Sequence, residues 1–372
     1  MSAFETFAKK YGGSVSTDSS DTEFFKRLGG LQENALGNVS AEIKKSQTTK
    51  NPIVLQFGFL ASEAFDAHCC RLGSADIISL NIGIPVRMRM IFRSMLSQPG
   101  ILPEIGQADI SEPYSMPIKI DFFNELYGVP AIPAPLDPFR ARYCNFLESA
   151  AFRLLFDHEF AHIFRGHYDL LNADKNEIGL DESGNNLTSR DFSIFRPMLE
   201  WDADSWSVAR LFSSLRRHPN NDPSKKPIFH ENPWNLQGDF LNTRSEFLKL
   251  YAFATYTAYR PFINSNELNS DDVAAWHHPP AALRAWSAIF TALHLLISNG
   301  VKIDDCVPHF ISGIVEAEKA YIKVTQSSPE DLFSDKIMKL GMERVNFFIS
   351  QWQEIFPILN KTSRGAILGI NG

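Results

Sequence analysis

The sequence predicts an α+β fold that is mostly α-helical, with a small β-sheet preceding one long central helix and a helical C-terminal part. Three observations predict this class. Apolar runs of strand length lie between residues 51 and 135, a capped pattern of about thirty residues begins at Asp137, and amphipathic patterns of helical length fill most of the remainder. With 372 residues, of which 44% are hydrophobic, the chain can bury a sizeable core.

Charge and cysteine usage narrow the class of protein. The net charge of −7 gives no indication of a nucleic-acid partner or an anionic membrane surface. The four cysteines show no CxxC spacing, so we expect reduced thiols rather than a disulfide framework. No apolar run reaches the roughly 18 residues that a membrane span needs, and the first residues show no apolar signal segment. We therefore expect a soluble, cytoplasmic protein without a membrane span.

The domain organisation follows from the change in composition along the chain. Residues 1–50 form a polar N-terminal arm, either loosely packed helices or a flexible tail. Its amphipathic patch at Phe24-Phe25 is expected to end at Gly29-Gly30. Residues 51–300 are predicted to form one domain around the central helix. Residues 301–372 are expected to be helices packed on that domain, followed by a loose tail.

A small sheet is predicted ahead of the central helix. Residues 53–59 are a short apolar run that fits a buried strand or the start of a helix. Residues 77–95 fit a helix with an arginine stripe, entered directly or through a strand at 77–84. Alternation at 116–122 predicts a half-exposed strand. The edge of such a sheet can hold an extended peptide by main-chain hydrogen bonds.

The central helix carries the most informative motif. Asp137-Pro138 is a favourable helix start, and Gly166 is a plausible C-terminal cap. Near its end stands His158-Glu159-x-x-His162. Histidines four apart lie about 40° apart around a helix and one turn apart along it, so both imidazoles can reach one ion. Glu159 can then act as a base on a metal-activated water. The alternative is an exposed helix that carries these residues without a metal.

A second helix, predicted at 196–217, offers a third ligand. Glu200 and Asp204 share one face of it, although acidic residues near a helix start also suit the helix dipole. Two histidines and a glutamate from a following helix form a common catalytic zinc set. We therefore expect Glu200 as the ligand, Asp204 as the acceptor for a histidine N–H, and Asp202 in solvent. The alternatives for the third ligand are His167 and the acidic residues of a predicted loop at 169–195, namely Asp174, Glu177, Asp181 and Glu182.

Three segments in this order resemble a known family. They are His158-Glu159-x-x-His162, Glu200-Trp201-Asp202-Ala203-Asp204 and His278-Pro279-Pro280-x-x-x-Arg284. The pattern resembles the gluzincin metallopeptidases, most closely the CAAX-prenyl-protease and heat-shock membrane-protease group, whose Glu-x-x-Ala-Asp segment supplies the third zinc ligand. The members of that group are embedded in the membrane, whereas no spanning helix is predicted for this chain. A looser likeness, in size and in His-Glu-x-x-His-x-x-x-Gly-His, is to bacterial cytosolic zinc peptidases such as the phage-exclusion peptidase Lit.

The resemblance implies a zincin-like fold and a zinc-dependent peptidase that acts on a protein or peptide substrate. One Zn²⁺ per chain would be bound by His158, His162 and Glu200, with Glu159 as general base. His278 is the first candidate for the oxyanion donor, although it also fits a capping or solvated position. Other candidates for that donor are His167, Tyr168, Tyr251 and Tyr256.

Two other classes of function stay open. One is a non-enzymatic or latent zinc-binding protein whose site is structural or self-inhibited, which would need a fourth protein ligand from His167 or His278. The other is a metalloenzyme that acts on something other than peptides. The oligomeric state does not follow from the sequence.

Overall fold

The fold combines a small mixed β-sheet with helices packed against it. The structure, a computed structural model, describes residues 2–17, 23–47, 52–108, 133–171, 179–181, 196–216, 244–262 and 280–364. Within these residues the protein is mostly helical, so the α+β, mostly helical class is confirmed. No helix in these ranges is long and apolar enough to cross a membrane.

Within the described residues the sheet has five strands in the order β1-β2-β4-β3-β5. Strand β2 is parallel to β4, and the β1–β2, β3–β4 and β3–β5 pairs are antiparallel. The β3–β4 hairpin turns at Gly73, whose φ of +61° lies in the left-handed region that glycine adopts at little cost. The strands are β1 Ser14–Val15, β2 Leu55–Leu60, β3 Ala67–Leu72, β4 Ala75–Asn81 and β5 Gly179–Asp181.

The helices account for most of the described chain. They are α1 Ala3–Ala8, α2 Glu23–Ser46, α3 Gly83–Ser97, α4 Pro138–Phe164, α5 His167–Leu171, α6 Arg196–Arg216, α7 Arg244–Tyr259, α8 Ala281–Ile297, α9 Val307–Thr325 and α10 Asp335–Thr362. Short 3₁₀ segments lie at Lys9–Tyr11, Arg260–Phe262 and Ile303–Asp305.

Helix α4 is the central element and has the predicted limits. The Asp137 carboxylate accepts hydrogen bonds from the amides of Phe139 and Arg140, and Pro138 occupies the first turn. Gly166 follows the helix with a φ of +76°. From Tyr143 onward the helix is buried on nearly all sides, as expected of one inside a core. It separates two apolar clusters.

The first cluster joins α4 to the sheet, α2 and α10. Its members on α4 include Phe152, Phe156 and Phe160. The second cluster joins the opposite side of α4 to α3, α6, α7, α8 and α9, and it includes Leu147 and Leu154. Because its side chains are held on both sides, α4 is a rigid support for any site near its end.

The N-terminal arm packs more closely than the sequence predicts. Helix α2 runs straight through Gly29-Gly30, so the expectation that this pair ends the patch is wrong. Phe24, Leu28 and Val39 lie on one face of α2 and are buried in the sheet-side cluster. Each interior glycine costs about 0.5–1 kcal/mol, whereas each buried Phe, Leu or Val side chain contributes about 1.5–3 kcal/mol. Burial therefore outweighs the glycines.

The other predicted elements have mixed outcomes. The run at 53–59 is strand β2, and 77–95 is strand β4 followed by helix α3, which matches the strand-then-helix alternative. Helix α6 begins at the predicted residue. The structure adds β3, which was not predicted. It also places the end of α5 and all of β5 within the loop predicted at 169–195. The strand predicted at 116–122 lies outside the described residues, and the domain limits stay a prediction.

All four cysteines are in described segments, and none forms a disulfide. Cys69, Cys70, Cys144 and Cys306 are each buried with a free thiol. This agrees with the expectation of reduced thiols.

Candidate metal centre

Three possible metal ligands converge where the end of α4 meets the first turns of α6. They are His158 and His162 on α4 and Glu200 on α6, and all three are buried. The Nε2 atoms of the two histidines are 3.2 Å apart. The Oε2 atom of Glu200 lies 3.2 Å from Nε2 of His158 and 3.6 Å from Nε2 of His162. We call these three residues the metal site.

The spacing fits one tetrahedral ion. Ligands about 2.0–2.1 Å from a tetrahedral zinc lie about 3.3 Å from one another. The three measured separations of 3.2, 3.2 and 3.6 Å bracket that value. Two imidazole nitrogens and a carboxylate oxygen form a donor set that borderline metals such as zinc accept. The residues present therefore fit the ion that the motif implies.

His158 is oriented by Asp204 of α6, on the side of the ring opposite to Nε2. Nδ1 of His158 donates a hydrogen bond to Oδ1 of Asp204 at 2.9 Å. A proton on Nδ1 leaves the lone pair on Nε2, which points at Glu200 and at the place for an ion. Asp204 therefore makes the hydrogen bond to a histidine that the sequence predicts, and its role in support of a metal ligand stays a prediction.

Asp204 is in turn held by Arg284 on α8. The guanidinium donates from Nε at 2.9 Å and from Nη2 at 2.6 Å to the two carboxylate oxygens. The guanidinium also stacks on the Tyr259 ring, 3.9 Å from its centroid. Burial alone would raise the pKa of Asp204, but Arg284 and His158 outweigh it and hold this pKa well below its usual range. Asp204 therefore stays ionised at any pH of interest.

Asp202 does not lie in solvent, contrary to the sequence-based expectation. It is buried, and Arg165 donates to both of its oxygens, with Nη2 2.8 Å from Oδ1. Nε2 of His167 lies 3.0 Å from Oδ2 of the same carboxylate. The helical pattern correctly turns Asp202 away from Glu200, but other buried groups occupy that side.

His167 contacts the metal site without being one of its donors. Its Nδ1 atom lies 2.9 Å from Nδ1 of His162, on the side of that ring away from Glu200. Both ring nitrogens of His167 thus already have partners in His162 and Asp202. This arrangement disfavours His167 as the third or fourth ligand.

Glu159 is buried beside the metal site and is tied to the sheet. Only 2% of its surface is exposed. Its carboxylate lies beside the thiol of Cys69 on β3. Burial raises the pKa of Glu159, and the charges that His158 and His162 can carry act in the opposite direction. A carboxylate with a raised pKa is a stronger base than an exposed one.

The metal-free site also holds protons tightly. Burial by itself lowers the pKa of His158, but hydrogen bonds to Asp204 and Glu200 outweigh burial and raise this pKa well above its usual value. A metal ion must displace such a proton from Nε2, so binding is expected to release protons.

Several candidates from the sequence are not brought to the site or lie outside the described residues. The Tyr251 hydroxyl donates to the carbonyl oxygen of Val208. The Tyr256 hydroxyl lies 2.8 Å from Oε2 of Glu318 and 2.7 Å from Oε2 of Glu330, and its single proton is donated to one of these carboxylates. Neither is therefore placed to act as an oxyanion donor. Tyr168 faces Cys69, and Asp181 is in β5, paired with His68 of β3. The candidates outside the described residues are His278, Asp174, Glu177 and Glu182.

Among the groups that contact the metal site from behind, Arg165 and Cys69 were not predicted from the sequence, and His167 was predicted only as a possible ligand or oxyanion donor. Arg165, His167 and Cys69 contact Asp202, His162 and Glu159 respectively. The only sequence signal for the first two is their position just after the second histidine of the motif. Comparisons with protein-family models, curated proteins and solved structures found no match. The geometry and the motif therefore carry the functional argument.

Proposed function

We propose that this protein is a zinc-dependent peptidase of the gluzincin type. The observation that carries the proposal is the tetrahedral spacing of His158, His162 and Glu200, which are 3.2–3.6 Å apart, with Glu159 beside them. Burial in a rigid two-helix setting makes an accidental cluster of exposed side chains a poor explanation. The zincin-like fold and the zinc identity are part of this proposal.

The residues divide the work of peptide hydrolysis among them. A zinc ion in the site would polarise the scissile carbonyl and lower the pKa of water. Glu159 takes the proton of the attacking water and passes it to the leaving amine. Asp204 and Arg284 keep His158 in the tautomer whose Nε2 lone pair faces the site. A general base of this kind contributes roughly 10²–10⁴-fold to the rate.

Burial supports a second candidate, a structural or latent metal site. His158, Glu159 and His162 are at most 2% exposed, and Glu200 is 5% exposed. A closed structural site holds its ion with four protein ligands, whereas a catalytic site keeps one position open. Among the described residues three donors converge, so a closed site would need a fourth ligand from elsewhere, for which His278 is the candidate.

The variant Glu159→Gln tests the proposal, because it keeps the size of the side chain and removes its basicity. The protein is purified without chelator, analysed for metal and incubated with a denatured protein mixture. We expect one zinc per chain in wild type and in the variant, and cleavage by wild type alone. Glu33→Gln, at an exposed position of α2, is the control and is expected to cleave normally.

A third variant separates metal binding from chemistry. Glu200→Gln weakens the carboxylate ligand and is expected to lose both zinc and cleavage. Cleavage by Glu159→Gln at the wild-type rate would contradict the proposed mechanism. Stoichiometric zinc binding with no cleavage even by the wild-type protein would support the structural or latent site.

A further inference from the structure

The side of His162 that faces away from the metal site has an unusual partner. On the corresponding side of His158, Nδ1 donates directly to the carboxylate of Asp204, which is paired with Arg284. His162 is backed by another imidazole, His167, at 2.9 Å. His167 then reaches Asp202 at 3.0 Å. Each of the two histidines of the metal site is thus connected by hydrogen bonds to a buried aspartate of α6. His158 contacts its aspartate directly, whereas the imidazole of His167 lies between His162 and Asp202.

The direction of these hydrogen bonds follows from the metal-facing atom. Because Nε2 of His162 faces His158 and Glu200, its lone pair must be free for an ion and its proton must be on Nδ1. That proton is donated to Nδ1 of His167, which therefore acts as acceptor. The proton of a neutral His167 is then on Nε2, from which it is donated to Asp202. Only this arrangement satisfies both contacts.

The geometry of α6 explains why a ring is needed here. Asp202 is two residues from Glu200, about 200° around the helix, so it lies on the far side from the metal site. The imidazole of His167 spans that distance, with one nitrogen on each partner. Asp202 itself is held by Arg165 at 2.8 Å, so the far end of the chain of contacts is fixed.

We propose that His167 is a positioning residue of the metal site, a neutral imidazole that fixes the tautomer and orientation of His162 by linking it to the Asp202–Arg165 pair. This inference rests on the proposed metal site, but it does not depend on peptidase activity. A single helix, α6, then supports the whole site: Glu200 contacts the ion, Asp204 holds His158, and Asp202 holds His162 through His167.

The variants His167→Leu and His167→Asn test this role by zinc affinity, measured in competition with a chromogenic chelator. Leu fills most of the space but cannot accept from His162, and Asp202 keeps its partner Arg165, so the fold should survive. We expect zinc binding 10–100-fold weaker than in wild type, the range found for residues that support a ligand. Asn offers an oxygen near the place of Nδ1 and should restore affinity close to that of wild type. His294→Leu, at an exposed position of α8, is the control.

The tautomer gives a readout that a merely structural residue would not produce. In the zinc-loaded wild-type protein, ¹⁵N NMR of labelled histidines should place the proton of His162 on Nδ1 and that of His167 on Nε2. This measurement decides the case if His167→Leu fails to fold. A proton on Nδ1 of His167, or wild-type zinc affinity in His167→Leu, would overturn the positioning role alone. Absence of zinc binding in wild type would overturn the metal site and this role with it.

Discussion

Replacement of Asp204 by Asn is the most informative single perturbation of this site, because Asp204 has two separable tasks. It accepts the Nδ1 proton of His158 at 2.9 Å, and it neutralises Arg284 through hydrogen bonds of 2.6 and 2.9 Å. All three side chains are buried. The amide keeps the shape of the carboxylate but removes its charge, so both tasks are impaired while packing is preserved.

The magnitude follows from the burial of the pair. Two opposite charges about 4 Å apart attract by about 4 kcal/mol at an effective dielectric constant of about 20, and removal of one partner of a buried pair typically costs about 3–5 kcal/mol. We expect the free energy of unfolding of metal-free Asp204→Asn to fall by that amount. Zinc affinity should fall 10–100-fold, because the orienting acceptor of His158 is weakened.

A double variant separates the two tasks. Adding Arg284→Met to Asp204→Asn removes the uncompensated guanidinium, so part of the lost stability should return. Zinc affinity should stay low, because His158 still lacks its carboxylate. Urea unfolding in the presence of a chelator measures stability, and chelator competition measures affinity. The control is Glu343→Gln, which removes an exposed ion pair with Lys339 and should lower the free energy of unfolding by at most about 1 kcal/mol.

Two results would refute this reasoning. If the double variant were no more stable than Asp204→Asn, the cost would not come from an unpaired buried charge. If Asp204→Asn bound zinc as tightly as wild type, Asp204 would not orient His158.

Three further outcomes are expected. Burial, together with His162, lowers the pKa of His167 to about 4, whereas a histidine in the unfolded chain titrates near 6.5. The free energy of unfolding of the metal-free protein should therefore fall by up to about 3 kcal/mol as the pH falls from about 6.5 to 4. In urea unfolding, His167→Asn should show a smaller decline over the same pH range. Zinc at a thousandfold excess over its Kd should stabilise the wild type by about 4 kcal/mol in thermal unfolding, and an equal shift in Glu200→Gln would place the ion elsewhere. Gly313→Ala should lower the free energy of unfolding by about 1–3 kcal/mol, because its Cβ would overlap the Lys249 carbonyl oxygen. The exposed Gly37→Ala has no atom within 4 Å of its Cβ and should instead stabilise α2 by about 0.5–1 kcal/mol. Equal effects at the two sites would contradict a close contact at Gly313.

Local features of the sequence were enough to predict the element that carries the candidate site. Asp137, Pro138 and Gly166 set the limits of α4 through capping and backbone preference, which act over a few residues. The helical repeat then places His158 and His162 on one face, and the same repeat places Glu200 and Asp204 together on α6. These relations involve neighbours within one helix, so they do not depend on the rest of the fold.

Packing between distant segments decided the features that the sequence did not predict, namely the full length of α2 and the partners of Asp202. The glycine pair in α2 predicts a helix end, but the burial of Phe24 and Leu28 outweighs the cost of the two glycines. The position of Asp202 could be predicted relative to Glu200, but its partners could not. The Arg165 guanidinium lies over the Trp352 ring of α10, 5.9 Å from its centroid, and Trp352 is about 190 residues further along the chain.

The sequence by itself therefore determined the helical class, the limits of α4 and the faces on which the candidate ligands lie. The tertiary structure decided what meets those faces: Glu200 against the two histidines, Cys69 against Glu159, and His167 between His162 and Asp202. The physical reason is that backbone propensity and helical periodicity act within a segment. Which buried polar groups satisfy one another depends on how separate segments pack, and no repeat within a single segment encodes that.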